Sequence, residues 1–164
     1  MPPGGRAGRA ASGRRGVQPG RDPLRGSIVT FPVPPDRAFA YLADPRNRPD
    51  WQSTLRAVAD VAPAEDGSFT AAGVSWTDVT VVPGVRPALR TVQSDHPLLW
   101  VEEGHFGPAR ARLALTFAAC PEGTRVGAEF SVTMLGAGRF IGLASRRTVV
   151  ADLRRASRIL AASR

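Results

Sequence analysis

The strongest constraint on the fold is a change of hydrophobic period near the end of the 164-residue chain. Up to about residue 135, apolar and polar residues alternate in short runs, as in strands with one buried face. After residues 136–138 (GAG), apolar residues recur at helical spacing, with arginines on the opposite arc. The apolar stripe comprises Val149, Val150, Leu153, Ala156 and Leu160, and the arginines are Arg147, Arg154, Arg155 and Arg158. Such a helix packs its apolar side on a sheet and keeps its arginines in water.

Seven strands are predicted before this helix. Gly, Pro or Asp residues separate the later runs, as tight reversals between antiparallel strands require. The predicted strands are 28–33, 53–61, 74–82, 87–94, 98–106, 109–118 and 124–135.

Two short helical segments are predicted between the first and second strands. Residues 34–36 (PPD) suit a helix start, and Phe39, Leu42 and Ala43 then follow at helical spacing. Residues 45–51 are too rich in proline for more than one turn. The predicted fold class is therefore α+β: a seven-stranded curved antiparallel sheet around a long C-terminal helix.

The predicted sheet is wider than the single helix that covers it. Strands lie about 4.8 Å apart, whereas a helix is only about 10–12 Å wide. One helix cannot fill the concave face of seven strands, so a cavity is predicted between the sheet and the stripe from Val149 to Leu160.

Residues 1–26 are predicted to be a disordered tail, and residues 27–164 a single domain. The tail is rich in Gly, Pro and Arg and has little apolar surface to bury. It holds six arginines against one acid, which accounts for +5 of the net charge of +8. We favour a spacer over an electrostatic arm, so nucleic acid is not the favoured partner.

The chain has features typical of a cytoplasmic protein. Its first residues lack the apolar segment of an export signal, and no apolar run is long enough to cross a bilayer. The single cysteine, Cys120, permits no intramolecular disulfide. The oligomeric state is left open.

Several strings resemble the START-like superfamily known as SRPBCC, and among its branches the bacterial polyketide cyclase/dehydrase and lipid transport group. These strings are residues 28–41 (IVTFPVPPDRAFAY), 44–51 (DPRNRPDW), 73–77 (GVSWT) and 123–125 (GTR), followed by the amphipathic helix. The resemblance covers about residues 27–162 and implies a helix-grip fold. It also implies a deep pocket for a lipid, polyketide or other apolar molecule. No catalytic set of the family can be matched onto this chain residue by residue.

The sequence indicates neither a metal nor a cofactor. His96, His105 and Cys120 are scattered, and no nucleotide-binding or nucleophile motif occurs. Strand alternation places Glu103 and His105 on one face and Trp100, Glu102 and Phe106 on the other. We favour an outward Glu103–His105 pair, but keep His105 and Glu102 as pocket candidates.

The remaining pocket candidates are aromatic, apolar or basic. Trp51, Trp76 and Trp100 could line a pocket or pack in the core. Arg146 falls within the apolar stripe, where Asp78, Glu102 or an acidic ligand could pair with it. The candidates from the last strand and the helix are Phe130, Met134, Val150 and Leu153.

Three functions are consistent with the sequence. We favour a binding or carrier protein for a small apolar or amphipathic molecule, because no catalytic constellation is visible. A cyclase or dehydratase could instead act through orientation and general acid/base help from His105, Glu102 or Arg146. A third possibility is a basic adaptor that contacts nucleic acid or a protein through its arginines.

Overall fold

The chain forms one seven-stranded antiparallel sheet with a long C-terminal helix and two short helices after the first strand, as predicted. The computed structural model describes residues 26–134 and 142–163, so the predicted tail lies outside the described residues apart from Gly26. The strands are β1 (Ser27–Phe31), β2 (Leu55–Ala62), β3 (Ser75–Thr80), β4 (Ala88–Asp95), β5 (Leu99–Phe106), β6 (Ala109–Cys120) and β7 (Gly123–Met134). The helices are α1 (Pro35–Ala43), α2 (Arg48–Trp51) and α3 (Gly142–Ala162), with a 3-10 turn at Pro45–Asn47 before α2.

The sheet order is β1-β7-β6-β5-β4-β3-β2. The strands from β2 to β7 therefore lie side by side in sequence order. Strand β1 pairs with β7 and forms the edge of the sheet opposite β2. This meander is what the short Gly, Pro and Asp turns predict.

Four strand bounds differ from the prediction by two residues: β1 and β3 end earlier, β2 begins later and β6 ends later. Strand β6 continues to Cys120, because Cys120 still pairs with Gly123 across a turn of only two residues. Strand β3 ends at Thr80, whose hydroxyl donates to the carbonyl oxygen of Val85 at 2.9 Å and bends the chain into a turn. Val82 is consequently exposed at the tip of the β3–β4 loop.

The start of β7 lies against the end of β1. Gly123 has φ +130°, and a Cβ there would lie only 2.3 Å from the carbonyl oxygen of Phe31. The next residue, Thr124, is buried and donates from its hydroxyl to the carbonyl oxygen of Val33 at 2.7 Å. The Gly-Thr pair thus has a structural role, since it joins the last hairpin to the segment that leads into α1.

Helix α3 packs its apolar stripe on the sheet. Leu153, Ala156 and Leu160 are buried, whereas Val149 and Val150 are half-buried. The four arginines on the opposite arc are all exposed, as predicted: Arg147, Arg154, Arg155 and Arg158. Among the described helices, none combines the length and apolar character that a membrane crossing requires.

Candidate functional site

A cavity of about 430 Å³ lies between the concave face of the sheet and helices α2 and α3. It reaches the surface at the end of the sheet where the β3–β4 and β5–β6 turns lie, beside the exposed residues His105, Phe106 and Arg110. We call this end the mouth. Most of the wall is apolar and comprises Trp51, Leu55, Leu89, Leu113, Leu115, Phe130, Val132, Val149 and Leu153.

Three buried charged side chains that contact one another form the main polar part of the cavity wall. Arg48 from α2 is 2% exposed, and Asp78 from β3 and Glu102 from β5 are each 5% exposed. Arg48 Nη1 donates to Glu102 Oε2 at 2.5 Å, and Arg48 Nη2 donates to Asp78 Oδ2 at 3.0 Å. We call these three residues the buried charge cluster. One guanidinium therefore joins a short helix to two different strands.

Arg46 and Arg48 are two residues apart in sequence, but their side chains point to opposite sides of the chain. Asp44 accepts from the backbone N–H of Arg46 at 2.9 Å and also from its guanidinium, which lies over the ring of Phe69 at the surface. The 3-10 turn then rotates the chain, and Arg48, two residues later, enters the interior.

Two stacked tryptophans support the buried charge cluster. Trp76 Nε1 donates to Asp78 Oδ1 at 3.0 Å, and the Arg48 guanidinium lies 5.1 Å from the centre of the Trp76 ring. The Trp76 and Trp100 rings stack with their centroids 6.4 Å apart. Both rings are almost completely buried, which fixes the carboxylate of Asp78 in place.

The cluster contains one more acid than base. Burial raises the pKa of Glu102 to about 7; the charge and hydrogen bond of Arg48 oppose this shift, and the negative charge of Asp78 adds to it. Glu102 is therefore close to half-protonated near neutral pH and can give up or accept a proton inside the cavity.

We expect the stability of the protein to fall as pH rises through the raised pKa of Glu102. A carboxyl group with a folded-state pKa of about 7 binds more protons in the folded than in the unfolded chain. Its stabilising contribution is full below the unfolded pKa and is lost above the folded one. Between about pH 5.5 and pH 8, this group should remove about 2 kcal/mol from the free energy of unfolding.

Urea unfolding of the wild-type protein and of Glu102→Gln at the two pH values measures this contribution. In Glu102→Gln, the free energy of unfolding should not show this fall between the two pH values. Glu103→Gln changes an exposed acid on the same strand, so its free energy of unfolding should fall as that of the wild-type protein does. Parallel pH profiles for the wild-type protein and Glu102→Gln would refute the assignment.

Comparison with known proteins places this architecture in a family. The family model described as "Polyketide cyclase / dehydrase and lipid transport" matches residues 27–163. The chain belongs to this family. The SRPBCC resemblance of the sequence is thereby confirmed. No curated protein sequence shows significant similarity.

Solved structures of the same fold share little sequence with this family member. TTHA0849 from Thermus thermophilus is 18% identical with a TM-score of 0.63, and the match covers 84% of this chain and 96% of that one. Ara h 8.0201 is 10% identical with a TM-score of 0.65, covering 83% and 95% of the two chains. DynU16, a protein in the dynemicin biosynthetic locus, is 17% identical with a TM-score of 0.61; the match covers 84% of this chain and 47% of that longer one. These similarities show the fold.

The structure brings five of the candidate pocket residues to the cavity. They are Trp51, Glu102, His105, Phe130 and Leu153, with His105 exposed at the mouth. Trp76 and Trp100 pack in the core on the same face of the sheet without lining the cavity, and Val150 is half-buried outside it. The backbones of Met134 and Arg146 belong to β7 and α3, but their side chains lie outside the described part of the structure.

Of the two residues favoured as an outward pair, Glu103 lies exposed on the outer face, whereas His105 is exposed at the mouth and lines the cavity there. Glu103 accepts from Arg112 at 2.7 Å on the outer face rather than pairing with His105. Within residues 26–134 and 142–163, no group of three or more His, Cys, Asp or Glu side chains is placed to hold a metal ion.

Among the buried charged residues of the site, the sequence interpretation missed Arg48 and Asp152. Asp78 and Glu102 were considered as partners for Arg146, whereas the described contacts show both of them paired with Arg48. A signal was present on the strands: Asp78 follows Trp76, and Glu102 follows Trp100, by two residues. Residues two apart share a face of a strand, so the acid that follows each buried tryptophan also points inward.

Proposed function

We propose that this family member is a binding or carrier protein for a small apolar or amphipathic molecule, lipid or polyketide-like, held in the cavity. The observation that carries the proposal is a chamber of about 430 Å³ with apolar walls and a polar cluster. Ligand sites in proteins typically have this size and this division between apolar wall and few polar groups. We expect the protein to act in the cytoplasm, where its cysteine, Cys120, stays reduced.

Filling the cavity with a large side chain should strongly weaken the binding of an apolar ligand. Ala111 lies on the cavity wall in the middle of the sheet, so Ala111→Trp places an indole in space that a ligand would use. We expect the affinity for N-phenyl-1-naphthylamine, an uncharged dye that fluoresces in apolar surroundings, to fall by at least about tenfold. Fluorescence titration of the purified protein measures this change.

Ala114→Trp is the matched control. Ala114 is on the same strand, but an odd number of residues away, so its side chain lies on the opposite face of the sheet. This variant should bind the dye as the wild-type protein does. A wild-type protein that binds neither the dye nor lipid extracts would overturn the proposed function.

The second candidate function is a cyclase or dehydratase, favoured by the position of Glu102 on the cavity wall together with its pKa of about 7. A buried acid in this state suits general acid/base chemistry on a ligand that the walls orient. Incubating the protein with aromatic polyketide precursors and comparing both the masses and the chromatographic retention times separates the two functions. Dehydration lowers the mass and ring closure changes the retention time, whereas a carrier returns its ligand unchanged in both.

A further inference from the structure

The buried charged side chains of the cavity wall carry an acidic excess, which bears on the charge of the ligand. This inference rests on the proposed binding function and concerns which polar group the same cavity accepts. Asp78 and Glu102 share the single guanidinium of Arg48, so the buried charge cluster holds two acids and one base. All three residues line the cavity. The side chains of Asp78 and Glu102 are each 7% exposed, so neither is completely enclosed by protein.

A third buried acid lines the cavity from helix α3. Asp152 is 6% exposed, and its Oδ1 accepts from the backbone N–H of Ser53 at 3.1 Å. A backbone N–H is neutral, and no basic side chain within residues 26–134 and 142–163 forms an ion pair with Asp152. The contacts of the described residues therefore leave the negative charge of Asp152 without a balancing positive charge.

The other arginine among the described wall residues lies at the mouth. Arg110 is exposed, and its Nη1 donates to the carbonyl oxygens of Gly107 at 3.0 Å and Ala109 at 3.1 Å. Water surrounds an exposed guanidinium and weakens its field, whereas charges in the interior interact more strongly. Arg110 therefore offsets little of the negative charge of the three buried acids.

The three common polar ends of an amphipathic molecule fit this wall unequally. A carboxylate adds an anion to an acidic wall and is repelled. A hydroxyl can donate a hydrogen bond to an acid but carries no charge. A protonated amine loses its hydration on entry, but its three N–H groups can donate to carboxylate oxygens whose own desolvation already occurred on folding. Arg48 repels the amine less than the acids attract it, because two of those acids already balance its charge.

The protein as a whole has the opposite electrostatic bias. Its net charge is +8, so its long-range field attracts anions and repels cations. A preference for a cationic ligand can therefore arise only from the local charges of the cavity wall. The charge of the ligand thus distinguishes binding inside the cavity from non-specific adsorption to the surface.

We infer that the cavity selects amphipathic ligands whose polar end is a protonated amine, in preference to alcohols and carboxylates with the same apolar body. The apolar wall holds the body of the ligand, and the buried acids Asp78, Glu102 and Asp152 bind its ammonium group.

A competition series on the wild-type protein tests the selectivity directly. N-phenyl-1-naphthylamine is bound first and is then displaced by dodecylamine, dodecanol or dodecanoate, each below its aggregation threshold. The series is run at about pH 8, where Glu102, with its pKa of about 7, is mostly ionised and an alkylamine is still protonated. Dodecylamine should displace the dye at a concentration at least about tenfold lower than dodecanol, and dodecanoate should be the weakest competitor. Dodecanol or dodecanoate competing as well as dodecylamine would overturn the inference.

Charge-removing variants test whether the buried acids are the source of the selectivity. Asp152→Asn removes one negative charge but keeps an oxygen that can accept from the N–H of Ser53, so the advantage of dodecylamine over dodecanol should fall about tenfold. Glu102→Gln should lower it in the same direction. Asp50→Asn makes the same chemical change at an exposed position of α2 and should leave the advantage unchanged. An unchanged advantage in folded Asp152→Asn and Glu102→Gln proteins would overturn the assignment to these acids.

The outcomes separate this inference from the function on which it rests. If neither the dye nor any of the three compounds binds, the proposed function fails. If the dye binds and all three compounds displace it equally, the cavity is a ligand site without the selectivity, and only the present inference fails. The wild-type series needs no variant, so it remains decisive even if a variant does not fold.

Discussion

Replacing Arg48 by methionine is expected to lower the free energy of unfolding by about 3–5 kcal/mol. Methionine occupies much of the same space, but it leaves Asp78 and Glu102 buried together without a cation. The link from α2 to strands β3 and β5 is lost at the same time. Urea unfolding at about pH 8, followed by tryptophan fluorescence, measures the loss.

Arg46→Met is the matched control for Arg48→Met. Arg46 is two residues away and also pairs with an acid, but its side chain is 55% exposed, so we expect only a small loss. The loss for Arg48→Met should shrink at about pH 5.5, because Glu102 can then take up a proton instead of remaining an unpaired buried charge. Equal losses for the two variants would contradict the role assigned to the cluster.

Leu153→Ala is expected to cost about 2–5 kcal/mol and also to change which ligands bind. Leu153 is fully buried in the centre of the α3 stripe and forms part of the cavity wall. Truncating it removes packing between the helix and the sheet and enlarges the chamber. Urea unfolding should show the loss of stability, and dye competition should show a gain for ligands with bulkier apolar bodies.

Leu160→Ala separates the two effects of Leu153→Ala. Leu160 lies on the same stripe and is 4% exposed, but it packs in the core away from the cavity. This variant should lose a similar amount of stability while keeping the ligand preference of the wild-type protein. A changed preference in Leu160→Ala would mean that general loosening of the fold, and not cavity shape, governs binding.

The fold could be predicted because its determinants are local. Alternation along the strands, Gly and Pro turns, and the helical stripe ending at Leu160 specify the elements, and short turns make consecutive strands neighbours. Strand ends were less accurate, as at Thr80, because a single side-chain hydrogen bond to the backbone decides where pairing stops.

The site was only partly predictable because it depends on contacts between distant segments. Alternation places Glu102 on the same face as Trp100, but it does not say which face is buried; packing against the neighbouring strands decides that. Arg48 was harder, since it sits in a helix of four residues that is too short to show a periodic pattern. Its pairing with Asp78 and Glu102 spans 30 and 54 residues of sequence, a separation that no local rule can connect.

The uneven distribution of polar contacts around the cavity has a consequence for its adaptability. On the side of α2, β3 and β5, wall residues are bound to one another by charge and hydrogen bonds, so a change there disturbs several elements at once. On the side of β7, Phe130 and Val132 are half-buried and contribute apolar surface. Redesign of the cavity for a new ligand is therefore best begun on β7. Substitutions there can change the shape of the cavity while the contacts among α2, β3 and β5 stay intact.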